Sequence, residues 1–148
     1  MNLQKLARDQ YARGQDRWRD AERAFQERRW PDTLRYSQEA VELVLKALLR
    51  ALAVEAPKRH DVGPVLEQVG PDLPSILRRE LPAIVELSAA LADRRALAMY
   101  GDEVGGRTAS EIFQSRAEAK EFLDRAGRLV RLVGKAVLPY LDIGDEHR

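Results

Sequence analysis

The stretch that decides the fold is TLRYSQEAVELVLKALLRALAVEAPKRHD, which runs from Thr33 to Asp61. Its first part repeats apolar residues at three- and four-residue spacings, which gives an α-helix one continuous apolar face. Glu42 and Lys46 lie four residues apart on the other side, in the order that stabilises a helix. Pro57 ends this pattern, and a polar cluster from Lys58 to Asp61 follows. The stretch predicts a core helix followed by either a reactive site or a simple polar helix end.

Helical spacing also continues on both sides of this stretch. The first segment, from Leu3 to Phe25, ends before Trp30-Pro31, and so short a connection predicts an antiparallel helix pair. A short helix is expected over residues 62–69, and a longer one from Leu73-Pro74 to about Tyr100, kinked or restarted at Pro82. Ser115 and Glu118 have the spacing of a capping box and begin the last helix.

No alternating strand pattern or hairpin turn signal occurs in the sequence. We therefore predict an all-α, up-and-down bundle of four to five helices, with four main helices and one or two short ones. The length of 148 residues suits one domain over 1–148, with its core at about 6–141.

The composition excludes several classes of function. The 25 basic and 24 acidic residues give a net charge of +1, so a uniform nucleic-acid-binding surface is not expected. The absence of cysteine excludes disulfides and thiolate chemistry. The charged N-terminal segment does not resemble a signal peptide, and no apolar run is long enough to span a membrane. We expect a cytoplasmic protein without membrane contact.

The sequence offers no metal, cofactor or nucleophile site. His60 and His147 have no ligand spacing, and Asp102 and Glu103 are neighbours that rarely converge on one ion. The pair Gly105-Gly106 lacks the strand and the ending of a phosphate-binding loop. No cofactor is predicted, and His60-Asp61 is expected to cap the short helix that follows.

Four dibasic pairs stand out, at Arg28-Arg29, Lys58-Arg59, Arg78-Arg79 and Arg94-Arg95. Arginine suits bidentate phosphate contact, although acidic neighbours neutralise most surface pairs. The last pair precedes the glycine-rich segment Tyr100–Ser110. Near it lie an aromatic hydroxyl and two carboxylates, those of Tyr100, Asp102 and Glu103.

Several of these segments resemble the HEPN domain family of prokaryotes. The helix segment around SQEAVELVLKALL and the following His60-Asp61 turn match the family pattern, as does AMYGDE at residues 98–103. The resemblance covers about Leu6 to Leu141. It implies a helical bundle that pairs as a homodimer.

Functions implied by the resemblance fall into two groups. Many members are metal-independent endoribonucleases with an Arg-x4–6-His motif, and others bind nucleotides or pair with a minimal nucleotidyltransferase in toxin–antitoxin systems. Here Met99, Tyr100 and Gly101 stand where that histidine is expected. A phenol is a weak general base at neutral pH.

The leading prediction is therefore a non-catalytic homodimer that binds nucleotide or RNA or pairs with a nucleotidyltransferase. The alternatives are a ribonuclease with an Arg95-x4-Tyr100 site and a plain helical interaction module. The candidate ligand-binding residues are Arg94, Arg95, Tyr100, Asp102 and Glu103, with His60 and Lys46 as outside candidates.

Overall fold

The computed structural model describes residues 3–141, and its regular elements in that range are helices. Four are long: α1 (Leu3–Gln26), α2 (Trp30–Ala51), α5 (Leu81–Tyr100) and α7 (Arg116–Val137). Three are short: α3 (Gly63–Gln68), α4 (Ser75–Arg78) and α6 (Ala109–Ile112). Single 3₁₀ turns lie at Gly70–Asp72 and Leu138–Tyr140. The predicted all-α bundle with four main helices is confirmed.

More short helices form than the one or two that the sequence predicted. Proline is the reason, because it starts a helix readily but cannot continue one that is under way. Leu73-Pro74 leads only into the single turn α4, and the main helix starts afresh at Leu81-Pro82. Pro82 therefore marks a new start, which was one of the two predicted outcomes.

Helix α2 lies at the centre of the bundle, because it packs against α1, α5 and α7. Its apolar stripe is almost completely excluded from solvent, as the periodicity predicts. The buried apolar residues of α2 are Leu34, Ala40, Val41, Val44, Leu45, Ala47, Leu48 and Leu49. Because α2 packs against three other helices, its polar residues lie close to the core, where polar groups need hydrogen-bond partners.

Two aromatic side chains of α1 donate hydrogen bonds to backbone carbonyl groups of α7. The Tyr11 hydroxyl donates to the Val130 carbonyl oxygen at 2.8 Å, and Trp18 Nε1 donates to the Leu123 carbonyl oxygen at 2.9 Å. Burial raises the pKa of Tyr11, so the phenol remains a neutral donor. Both rings lie where α7 carries glycine: a Cβ on Gly127 would be 2.5 Å from the Trp18 ring.

The start of α7 follows the predicted cap. The backbone N–H of Glu118 donates to Ser115 Oγ at 3.0 Å, which satisfies one of the free N–H groups of the first turn. The Glu118 carboxylate does not complete the box, because it lies 3.5 Å from Arg94 Nε on α5. This contact joins α7 to α5 at the end of the bundle where the glycine-rich loop begins.

Candidate functional site

A polar stripe runs along α2 beside its buried apolar stripe. Gln38, Glu42 and Lys46 recur every four residues, so they lie above one another on one face. Glu42 is the centre of the stripe, since Gln38 Nε2 donates to its Oε1 at 2.9 Å and Lys46 Nζ donates to its Oε2 at 2.8 Å. The side chains of Glu42 and Lys46 are only 16% and 14% exposed.

His60 joins this stripe from the loop between α2 and α3. Its Nδ1 lies 2.8 Å from Glu42 Oε1, and the ring is about half exposed. Burial by itself would raise the pKa of Glu42, but the hydrogen bonds from Lys46, Gln38 and His60 outweigh it and lower the pKa below its ordinary value. The carboxylate is therefore ionised at neutral pH and fixes the orientation of the imidazole.

Arg95 reaches the same stripe from α5. Its Nη1 donates to Gln38 Oε1 at 2.7 Å and lies 3.4 Å from Glu39 Oε2. Glu39 also accepts from Arg35 at 3.2 Å. A continuous polar network thus runs from α5 across α2 to His60, over residues that are far apart in the sequence.

The network forms the floor of a groove of about 380 Å³, the Arg95 groove. Its lining residues are Arg13, Arg17, Glu39, Glu42, Leu43, His60 and Arg95. Arg13 forms no ion pair with any residue between 3 and 141, whereas Arg17 pairs with Asp20 at 3.2 Å. Three guanidinium groups and an imidazole therefore meet around two carboxylates, an arrangement that can receive a phosphate group.

Arg94 does not belong to this groove, although it is adjacent to Arg95. Neighbouring residues of an α-helix project about 100° apart, so the two guanidinium groups lie on different sides of α5. Arg94 lies near Glu118 and over the Phe122 ring, with its Cζ 4.8 Å from the ring centre. Its Nη1 also donates to the Ala90 carbonyl oxygen at 2.8 Å. The structure thus separates the dibasic pair.

The other three candidates lie at the end of α5 and in the loop behind it. Tyr100 is 69% exposed in the last turn of the helix, and Glu103 is also exposed. Asp102 helps to close the loop: its Oδ1 accepts from the Gly105 N–H at 2.9 Å, and its backbone pairs with Arg107. Of the seven candidates, the structure brings together Arg95, His60 and Lys46, and places the other four elsewhere.

The all-α fold agrees with the result of a comparison with protein families. A family model described as "HEPN domain" matches residues 7–136, which is most of the chain. The chain belongs to the HEPN domain family. No curated protein and no solved structure matches it significantly.

The His-Asp turn of this HEPN domain has two separate roles. His60 contributes to the Arg95 groove, but Asp61 anchors the turn to α5. Asp61 Oδ1 accepts from Ser88 Oγ at 2.8 Å and from the Gly63 N–H at 2.9 Å, while Ser88 Oγ accepts from the Val62 N–H at 3.0 Å. Asp61 thus accepts from the first N–H of α3, where the sequence predicted a cap. His60 does not cap a helix, because its ring contacts the Glu42 side chain.

Several residues of the Arg95 groove and of its hydrogen-bonded network were not predicted from the sequence as site residues. They are Arg13, Arg17, Gln38, Glu39 and Glu42. One signal was available, because a polar residue every fourth position on a core helix needs partners that local structure does not supply. The arginines of α1 gave no such signal, since exposed charges every few residues are ordinary on an amphipathic helix.

Within residues 3–141 of the HEPN domain, no three His, Asp or Glu side chains are grouped so that they could hold a metal ion. His147 lies outside the described residues. No helix in the same range is long and apolar enough to cross a membrane.

Proposed function

We propose that this HEPN domain is a non-catalytic homodimeric module that binds RNA or a nucleotide through the Arg95 groove. One observation carries the proposal: guanidinium groups from α1 and α5 converge with His60 on a single groove of about 380 Å³. Arginine binds phosphate oxygens in a bidentate fork, and single-stranded RNA presents such oxygens at every nucleotide.

The charges in the Arg95 groove leave cationic groups available to a ligand. The whole chain is nearly neutral, with a net charge of +1, so attraction of RNA must be local. Glu39 and Glu42 are already engaged by Arg35, Lys46 and Gln38. Arg13 forms no ion pair within residues 3–141, so its donors remain for a ligand, beside Arg17 and the exposed edge of His60.

The same groove gives the ribonuclease alternative a different general base from the one the sequence suggested. Tyr100 lies five residues after Arg95, which is about 140° around the helix, and it is exposed at the helix end. His60 lines the groove with Arg95 instead. When Nδ1 donates to Glu42, Nε2 is free to take the proton of a ribose 2′-hydroxyl. Attack of that oxygen on phosphorus would break the bond to the 5′-oxygen, which would take a proton from water and leave as a hydroxyl, and the other product would be a 2′,3′-cyclic phosphate.

The first test measures the binding of a fluorescent 20-nucleotide RNA and of labelled ATP by fluorescence anisotropy. The Arg13→Gln/Arg17→Gln variant removes two groove arginines. Its matched control is Arg19→Gln/Arg23→Gln, which removes two arginines at the same spacing on the same helix but outside the groove. Groove binding predicts weaker RNA binding in the first variant only, with a salt slope smaller by about 1.4 for two lost phosphate contacts.

The second test incubates the same RNA in EDTA with the wild type and His60→Ala. Intact RNA with both proteins agrees with a binding module. Cleavage by the wild type that is lost in His60→Ala would replace the proposal with the ribonuclease alternative. Equal RNA affinity in the two double-arginine variants would place binding outside the Arg95 groove.

A further inference from the structure

A second and larger cavity lies at the other end of the polar stripe, where the start of α1 meets the end of α2. Its volume is about 640 Å³, within the range of small-molecule sites. We call it the Arg50 pocket. Lys46 lines this pocket and is bonded to Glu42 on the opposite side, so the Lys46–Glu42 ion pair separates it from the Arg95 groove.

The Arg50 pocket is positively charged. Lys46, Arg50 and Lys58 line it, against the single carboxylate of Glu55. Glu42 neutralises Lys46, but neither Arg50 nor Lys58 forms an ion pair with any residue in the described part of the chain. Two cations that form no ion pair within residues 3–141 outnumber the one carboxylate of this concave site, which favours a ligand with an anionic group.

The remaining wall indicates the size and character of the ligand. Leu3, Val54 and Pro57 provide aliphatic surface, and no aromatic ring of residues 3–141 lines the pocket, so this part of the chain offers no platform for stacking a nucleobase. Leu3 lies in the first described turn of α1. The positive end of that helix dipole therefore offsets the negative end of α2 at the same place.

From these observations we propose that the Arg50 pocket binds a small organic phosphate monoester with a short aliphatic body. The Arg50 guanidinium and the Lys58 ammonium hold the phosphate, and the aliphatic body lies against Leu3, Val54 and Pro57. This site goes beyond the proposed RNA-binding role and does not depend on it, because its free cations differ from those of the Arg95 groove.

The experiment uses glycerol 3-phosphate as the probe, with binding to the full chain followed by isothermal titration calorimetry. Glycerol and inorganic phosphate are titrated in parallel arms. The variants Arg50→Gln and Lys58→Gln each remove one proposed phosphate contact. Arg59→Gln is the matched control, since Arg59 is an exposed cation next to Lys58 but does not line the pocket. Circular dichroism checks that each variant is folded.

The expected result is saturable binding of glycerol 3-phosphate, weakened by at least about tenfold in each of the two variants, because a hydrogen bond to a charged group contributes that much affinity. Arg59→Gln should bind as the wild type does. No saturable binding, equal loss in Arg59→Gln, or equal affinity for glycerol or inorganic phosphate would each overturn the proposal. Lys58 is exposed, so its variant remains informative if Arg50→Gln fails to fold.

The result is also separable from the RNA test. Arg13→Gln/Arg17→Gln should bind glycerol 3-phosphate normally, and Lys58→Gln should keep the RNA affinity of the wild type. Loss of both activities in both variants would contradict the separation of the two sites by the Lys46–Glu42 pair.

Discussion

Replacing Glu42 with glutamine tests the centre of the polar network. The substitution keeps the shape of the side chain but removes its charge and one of its two acceptor oxygens. In the wild type, Glu42 accepts from Gln38, Lys46 and His60 at 2.8–2.9 Å. In the variant, the new amide NH₂ meets at least one of these donors, whichever way the amide is turned.

The magnitude follows from the burial of the groups involved. A hydrogen bond to a charged group contributes about 1.5–3 kcal/mol, and the His60 bond contributes at the low end because its ring is about half exposed. Lys46, at 14% exposure, also loses its counter-ion. We expect Glu42→Gln to lower the free energy of unfolding by about 2 kcal/mol, a Tm decrease of roughly 4–8 °C for a chain of this size.

The pH dependence gives an independent check. The folded state lowers the pKa of Glu42, so the unfolded chain binds more protons in the acid range and the stabilisation rises with pH. It is complete above the ordinary glutamate pKa of about 4.3 and is lost as the pH falls through the lower pKa of the folded protein. The difference between wild type and variant should shrink accordingly below about pH 4.3.

The assay is urea unfolding followed by circular dichroism between pH 3 and pH 8. Glu121→Gln is the control, because Glu121 also precedes a basic partner, Arg125, by four residues, but the glutamate is 63% exposed and the contact is 3.5 Å. An exposed pair of this kind contributes at most about 0.5 kcal/mol. Equal effects of the two substitutions at pH 7, or a Glu42→Gln effect that stays constant down to pH 3, would refute the reasoning.

Three further predictions concern the fold and the assembly. Ser88→Ala should destabilise the protein by about 2 kcal/mol in urea unfolding, because the buried Val62 N–H loses its acceptor, whereas Ser110→Ala on the surface should have no effect. Tyr11→Phe removes the hydrogen bond to the Val130 carbonyl oxygen, so it should lower the free energy of unfolding by about 1 kcal/mol and the Tm by roughly 2–4 °C in calorimetry. Tyr36→Phe is its control, since the Tyr36 hydroxyl forms no hydrogen bond within residues 3–141. Light scattering should give twice the chain mass of 16.8 kDa, and a mass of one chain would contradict the proposed homodimer.

The helices were predictable from the sequence because their determinants are local. The apolar stripe of α2 needs only the 3.6-residue period, and the break at Pro82, predicted as a kink or a restart, needs only the missing N–H of proline. The cap at Ser115 depends on a residue three positions away. Each signal lies within one turn of the chain that it affects, so no knowledge of the packing was required.

The candidate site could be predicted only in part. His60 and Arg95 were identified because their residue types are suited to phosphate chemistry, but their common partner on α2 was not. His60 is 18 residues from Glu42, and Arg95 is 57 residues from Gln38. No local pattern connects positions so far apart. Arg94 was grouped with Arg95 because they are adjacent, and adjacency on a helix implies divergence rather than a shared site.

The sequence by itself thus determined the four main helices of this HEPN domain and the buried apolar face of α2, but not the short helices α4 and α6. Only the tertiary structure decided which polar side chains meet. Hydrophobic burial depends on a periodic pattern and is non-directional, so one chain segment is enough to reveal it. A hydrogen-bonded network depends on distances of about 3 Å between atoms of different helices, and these are set by how the whole bundle packs.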